Sequence, residues 1–281
     1  MLDAPQPGMH LAVDPSSRYM AIGGSEGRFS IHALYSRYDL EKQYSQSSDI
    51  RYIESERYLP VRGVIHKMEF LYPSADDEGH IILLLLIIRG GKTRMLLYEW
   101  QTGGDLIKIS AHSQKGHLLE ESRRMPLLLI PLTIKSAFIL VSERSMAICQ
   151  DILLGTPICI DFNDQLDPPT PYHHGLGLPL WTSWTRPIRL PHHTAIRDDI
   201  YIAREDGHIK FLEIDSEELI NADMNIGYFD CNNGTALASL DYEQINNSDR
   251  TGDLLITGGD SCDGGTYLVS IMICSSHDSL S

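Results

Sequence analysis

Several short runs in this 281-residue chain have residue types that could do chemistry, and each can be weighed by its spacing. Gly23 to Gly27 reads GGSEG, the G-x-S-x-G order of a nucleophile elbow. That motif needs a sharp turn from a strand into a helix, whereas the residues that follow alternate as a strand, so Ser25 reads as a hairpin residue. Gly91-Lys92-Thr93 resembles the end of a phosphate loop, but Leu86 stands where that motif needs its first glycine. The pairs His173-His174 and His192-His193, with Asp167 or Asp198 nearby, could offer imidazole and carboxylate to a metal. Adjacent histidines in a loop are poorly spaced for one ion and read as solvated residues. Asp260 to Gly265, DSCDGG, lacks the alternating oxygens and terminal Glu of a calcium loop. The sequons at Asn233 and Asn246 would matter only in a secreted protein. No catalytic, cofactor-binding or metal-binding set is assigned.

Binding is better served than catalysis. Trp181, Trp184, Arg186 and Arg189 lie close together in a Pro-, Gly- and His-rich stretch between Asp161 and His193. Trp and Arg are enriched at interaction hot spots, so these four residues form the candidate interaction surface. The competing reading is that the tryptophans anchor the stretch to the core, as large aromatics do when a core is near. The prolines predict a long surface excursion with no regular element. Ser74 to Gly79 is a second candidate interaction loop.

Composition narrows the partners. The chain is 42% hydrophobic and 22% charged, as expected of a folded protein with a packed core. Its net charge of -15 repels phosphate backbones, and Arg123-Arg124 is the only adjacent pair of basic residues. Nucleic acid is therefore expected to be engaged weakly or indirectly. Cys149, Cys159, Cys231, Cys262 and Cys274 form no C-x-x-C pair and read as reduced, mostly buried thiols of an intracellular protein. The first residues, MLDAPQPGMH, do not resemble a secretory signal. Ile81 to Ile88 is the longest strongly apolar run and falls well short of the about 20 residues of a membrane span, so it reads as a buried strand.

The elements that would position these residues are hairpins. Turns near residues 27, 90, 142, 207 and 259 each separate two apolar strands, at intervals of 52 to 65 residues. Gly90-Gly91 suits a tight turn requiring positive φ. Helical patterns are confined to Asp39–Gln46 and to Ser216–Asp223, where Ser216 could cap a short turn. Such a loose β repeat, with no alternation of strands and helices, predicts an all-β fold. The expected architecture is a β-propeller of four-stranded antiparallel blades lengthened by loops.

The run from His10 to Leu34, HLAVDPSSRYMAIGGSEGRFSIHAL, carries a more specific pattern: Asp14-Pro15, then Arg18, then Gly27 and the aromatic Phe29. It resembles the first propeller of the large three-propeller scaffold family. That family includes the damaged-DNA-binding adaptor of cullin-RING ubiquitin ligases, the large subunit of the cleavage and polyadenylation specificity factor, and the large propeller subunit of splicing factor 3b. Later segments follow in the same order: VIHKMEFLYP, KTRMLLYEW, PLLLIPLTIKSAFILVSERSM, DDIYIAREDGHIKFLEI and DLLITGGDSCDGGTYLV. The likeness is greatest to filamentous-fungal members. It implies that residues 1–281 form one incomplete propeller, with about five to six recognisable blades of a seven-bladed ring. The first blades and the later propellers would be missing, leaving the ring open beside Asp14 to Leu34.

The resemblance further implies a non-catalytic scaffold in a nuclear multiprotein complex. The complex would serve DNA-damage ubiquitin ligation, pre-mRNA splicing or 3′-end processing. Its expected partners are other protein subunits, with no membrane, small-molecule substrate or cofactor. The rival reading is a propeller hydrolase or metal-dependent enzyme with a central-channel site, for which Asp206 and Asp260 are the candidates because both stand beside hairpin turns.

Overall fold

The computed structural model describes residues 10–24, 27–46, 49–73, 76–103, 106–111, 116–119, 125–133, 136–143, 145–154, 158–161, 180–187, 198–204, 208–214, 224–230, 236–241, 253–258 and 265–269. The chain divides into two compact units, Met1–Asp167 and Pro168–Ser281.

Unit 1 holds three sheets of consecutive antiparallel strands. Sheet A contains β1 (His10–Val13), β2 (Tyr19–Gly23), β3 (Arg28–Leu34) and β4 (Ile53–Pro60), in that spatial order, with helix α1 (Arg37–Gln46) between the last two. Sheet B contains β5 (Val64–Leu71), β6 (His80–Arg89), β7 (Lys92–Gln101) and the short β8 (Ser110–Ala111) and β9 (His117–Leu118), both paired to β7. Sheet C contains β10 (Leu128–Pro131), β11 (Phe138–Val141), β12 (Met146–Gln150) and β13 (Ile158–Asp161).

Sheet B is the middle layer, which explains the apolar run read from the sequence. Ile81 through Ile87 are all buried because each face of β6 meets a different neighbour. Ile81, Leu83, Leu85 and Ile87 pack with Ala21, Phe29 and Ile31 of sheet A. Ile82, Leu84 and Leu86 pack with Leu129, Phe138 and Leu140 of sheet C. A strand covered on both faces needs no polar alternation. Edge-to-face ring pairs strengthen the first interface: Tyr19 with Trp100 at 5.3 Å and Phe29 with Tyr98 at 4.9 Å. The β6–β7 hairpin turns on Gly90 and Gly91, at φ 59° and 70°, where a side chain would be strained.

The Asp14–Arg18 pattern proves to be a turn lock. Asp14, only 4% exposed, accepts hydrogen bonds at Oδ2 from the Ser16 hydroxyl and, at 3.3 Å, from the Arg18 amide. Its backbone carbonyl accepts from the Ser17 amide, closing the β1–β2 connection. Gly27, at φ 69°, brings its carbonyl within 2.6 Å of the Val61 amide, and a Cβ there would meet the Val61 oxygen at 3.0 Å.

Unit 2 repeats the arrangement. Sheet D contains β14 (Trp181–Thr185), β15 (Asp198–Arg204), β16 (His208–Ile214) and β17 (Met224–Asp230). Sheet E contains β18 (Ala236–Asp241), β19 (Asp253–Gly258) and β20 (Gly265–Val269). Tyr201, Ala203 and Ile209 pack with Leu255, and the buried Tyr201 hydroxyl donates to Asp253 Oδ2 at 2.6 Å.

The five expected hairpins are thus β2–β3, β6–β7, β11–β12, β15–β16 and β19–β20, each inside a separate meander sheet. This is the strand arrangement of propeller blades. Two details differ from expectation. The Pro-rich stretch is not wholly irregular, since Trp181–Thr185 pairs with β15. Cys149 and Cys159 stand directly opposite on β12 and β13 and are joined as a disulfide, not free thiols. Helix α1 lies where its pattern predicted, while Ser216–Asp223 falls outside the described residues.

Replacing Leu84 by Ala should destabilise the protein by about 2–5 kcal/mol in urea unfolding, by loss of packing and creation of a cavity. Tyr44→Ala, on a side chain 74% exposed, should change stability by less than about 0.5 kcal/mol.

Candidate interaction surface

The Trp181 region is built by one irregularity. In β14, Trp181 pairs with Arg204 and Ser183 with Ala203, so Thr182 is an extra residue in the ladder, with its hydroxyl donating to the Ala203 carbonyl at 3.3 Å. In a regular strand, residues three apart point to opposite faces; one bulge reverses that. Trp181 and Trp184 consequently share the face of Arg204 and Ile202.

Each tryptophan is then capped by an arginine. The Arg204 guanidinium lies 5.4 Å from the Trp181 ring centroid, and the Arg186 guanidinium 5.6 Å from that of Trp184. Arg186 also pairs through Nε with Asp198 Oδ1 at 2.8 Å, the carboxylate being 1% exposed. Trp181 is 5% exposed and anchors the strand, whereas Trp184 is partly exposed at the same face. Three of the four sequence candidates are therefore brought together, and Arg189 lies outside the described residues. Of the residues weighed for metal or enzyme chemistry, Asp198 is the partner of Arg186, while Asp167, His173, His174, His192, His193, Asp206 and Asp260 lie outside the described residues. Ser74 and Ala75 of the second candidate loop lie outside them as well.

A second group, missed by the sequence reading, lines the first strands of unit 1. His66 is the extra residue of a bulge in β5, between Ile65 and Lys67. On one side of it, His10 of β1 donates from Nε2 to the Ile65 carbonyl at 3.0 Å; on the other, His66 donates from Nε2 to the Pro126 carbonyl, just before β10, at 2.7 Å. Two imidazoles thus tie sheet A to B and B to C. Lys67 and Glu69 follow on the face opposite to Met68 and Phe70. Burial pushes the Glu69 carboxyl up to about 7, with Lys67 opposing the rise. Burial likewise lowers Lys67, which the Glu69 charge partly offsets, and burial is the main cause of the lowered His10 pKa. A perturbed carboxyl can mark a catalytic acid or base, but both neighbouring imidazoles here spend their Nε2 on backbone carbonyls. The arrangement links sheets; among the described residues no group of His, Cys, Asp or Glu is placed to hold a metal. No signal in the sequence separates Glu69 from any other strand glutamate, because its shift comes from sheet packing.

The sign of the pH dependence follows. A carboxyl whose folded pKa is raised favours folding fully below its ordinary value of 4.5, and that contribution is lost as pH rises toward about 7. Stability should therefore decline from pH 4.5 to 7 through this group. Glu69→Gln should flatten the decline and stabilise the protein at pH 8 by about 1–3 kcal/mol, read from urea midpoints across pH.

Comparison with known proteins completes the picture. No curated protein matches the chain. Among solved structures, the WD40 domain of SCAP from fission yeast aligns with a TM-score of 0.46 at 9% identity, over 94% of this chain and 56% of that one. The Cps50 (Swd1) β-propeller domain of Myceliophteria thermophila aligns with a TM-score of 0.45 at 9% identity, over 93% of this chain and 71% of that one. The chain thus spans a little over half the length of the SCAP domain. The family model described as the RSE1/DDB1/CPSF1 first beta-propeller matches residues 2–272, through both units and all five sheets. The chain belongs to the RSE1/DDB1/CPSF1 first beta-propeller family.

Proposed function

We propose that this chain is a non-catalytic scaffold propeller that holds protein subunits of a nuclear multiprotein complex. The observation that carries the reading is the family match over residues 2–272. The physical character of the molecule supports it: stacked meander sheets supply a rigid frame, and the negative net charge favours protein partners over direct contact with nucleic acid. Within this reading the complex acts in DNA-damage ubiquitin ligation, in splicing or in 3′-end processing, and nucleic acid is engaged weakly or through other subunits. The match runs through both units, which supports treating residues 1–281 as parts of one propeller domain.

Trp181, Trp184, Arg186 and Arg189 are proposed as one binding stretch. Trp184 would be the contact residue, with Arg186 held over it by Asp198 and Trp181 as the buried anchor. A partly exposed aromatic stiffened by an ion pair costs little side-chain entropy when a partner covers it.

Affinity purification of the tagged chain from nuclear extract, followed by mass spectrometry, should return stoichiometric subunits of one of the three kinds of complex. Recovery of none of them, together with metal-dependent hydrolase activity of the purified chain, would overturn the proposal. Trp184→Ala should weaken capture of the partner by about tenfold or more while leaving the thermal midpoint within a few degrees. Equal loss of fold and binding would make Trp184 a core residue only.

A further inference from the structure

The outer edge of sheet A is unusual within unit 1. Its last strand, β4, runs for 8 residues, whereas among the described residues the outer strands of the neighbouring sheets, β8, β9 and β13, have 2, 2 and 4. Proteins keep exposed edges short because unpaired N–H and C=O groups invite another strand. Among the described residues no strand pairs with the outer side of β4.

Strand alternation decides which groups are free. The Val61 amide, just past β4, donates to Gly27 across the β3–β4 ladder. Backbone direction alternates along an antiparallel strand, so Leu59 and Arg57 turn their N–H and C=O groups to β3. Tyr58 and Glu56 turn theirs outward. Pro60 fits this phase: its missing N–H falls on the free side, where edge strands tolerate proline. The side chains along this edge are exposed as well, Tyr58 at 62% and Ile53 at 43%. Helix α1, leading into β4, buries none of its residues and adds Tyr38 and Tyr44, each 74% exposed.

Charge selects the partner. Glu54 and Glu56 are exposed on β4, Glu56 at 52%, and among the described residues Glu56 meets only His32, at 3.6 Å. Arg57, the one basic residue of β4, is committed elsewhere, its guanidinium donating to the Leu106 carbonyl. A second copy is a poor fit. Two-fold pairing about Glu56 sets Glu56 against Glu56, about Arg57 sets arginine against arginine, and about Tyr58 opposes Glu56 to Pro60, which has no N–H to give. Like charges directly opposite are unfavourable.

We propose that β4 is a strand-addition site that takes an extended basic segment of a partner protein as a fifth strand of sheet A. The segment would pair through the backbone groups of Glu56 and Tyr58, with a lysine or arginine opposite Glu56 and an apolar residue against Tyr58. This rests on the scaffold reading above and assigns one of its binding edges.

The test uses the full chain and two labelled probes, a short extended peptide alternating lysine with valine and its counterpart with glutamate for lysine. Fluorescence anisotropy should show binding of the lysine peptide and about two- to fivefold or greater preference over the glutamate peptide. Amide exchange should slow at Glu56 and Tyr58, whose N–H groups face outward, and not at Arg57, already paired to β3. Glu56→Lys, which leaves the backbone edge intact, should erase or reverse the charge preference. Absence of binding, equal binding of both peptides, slowed exchange elsewhere only, or pairing of the chain with itself through β4 would overturn the proposal. Those outcomes leave subunit capture from nuclear extract unaffected, so failure of the edge and failure of the scaffold reading are distinguishable.

Discussion

Unit 1 depends on one strand that water reaches from neither side. In β6, seven consecutive residues from Ile81 to Ile87 are buried, with odd positions meeting sheet A and even positions meeting sheet C. Neither interface can be altered without moving the residues that make the other. The ten-residue β6–β7 ladder and its Gly90-Gly91 turn hold that double face in register, because a slip of one residue would exchange the two side-chain sets. Flanking rings then fix the rotation: Trp100 meets both Tyr19 and Phe70 edge to face.

Local signals made the strands and hairpins legible. Apolar runs broken by turns, four of the five containing glycine, located the central hairpins, and the charged run near Asp39 located helix α1, whose Ser36 cap accepts the Asp39 amide at 3.2 Å. What escaped depends on alignment between strands. A single extra residue at Thr182 brings Trp181 and Trp184 to one face, and nothing in the string WTSWT announces it. The Cys149–Cys159 disulfide likewise requires the β12–β13 register, which a sequence separation of 10 does not reveal. Glu69 acquires its raised pKa from burial between sheets, a property with no motif.

Family pattern and physical role converge at the start of the chain. Asp14, Arg18 and Gly27 carry the resemblance read from the sequence, and in the structure they lock two turns of sheet A. These positions specify the frame rather than a reaction. The proposed binding features lie instead at its margins, on the partly exposed Trp184 and on the outer strand β4. A scaffold gains from this separation, since partner choice can change while the blade stays intact.

Among the described residues, every sheet consists of strands consecutive in the chain. During synthesis, therefore, each sheet has all its strands as soon as its last one leaves the ribosome, with no wait for distant sequence to close a ladder. The faces mature later than the ladders: the even-numbered face of β6 remains uncovered until Leu129, Phe138 and Leu140 have emerged. Over that interval, from Leu86 to Leu140, the nascent chain exposes a strongly apolar surface, and chaperones would have a claim on it there.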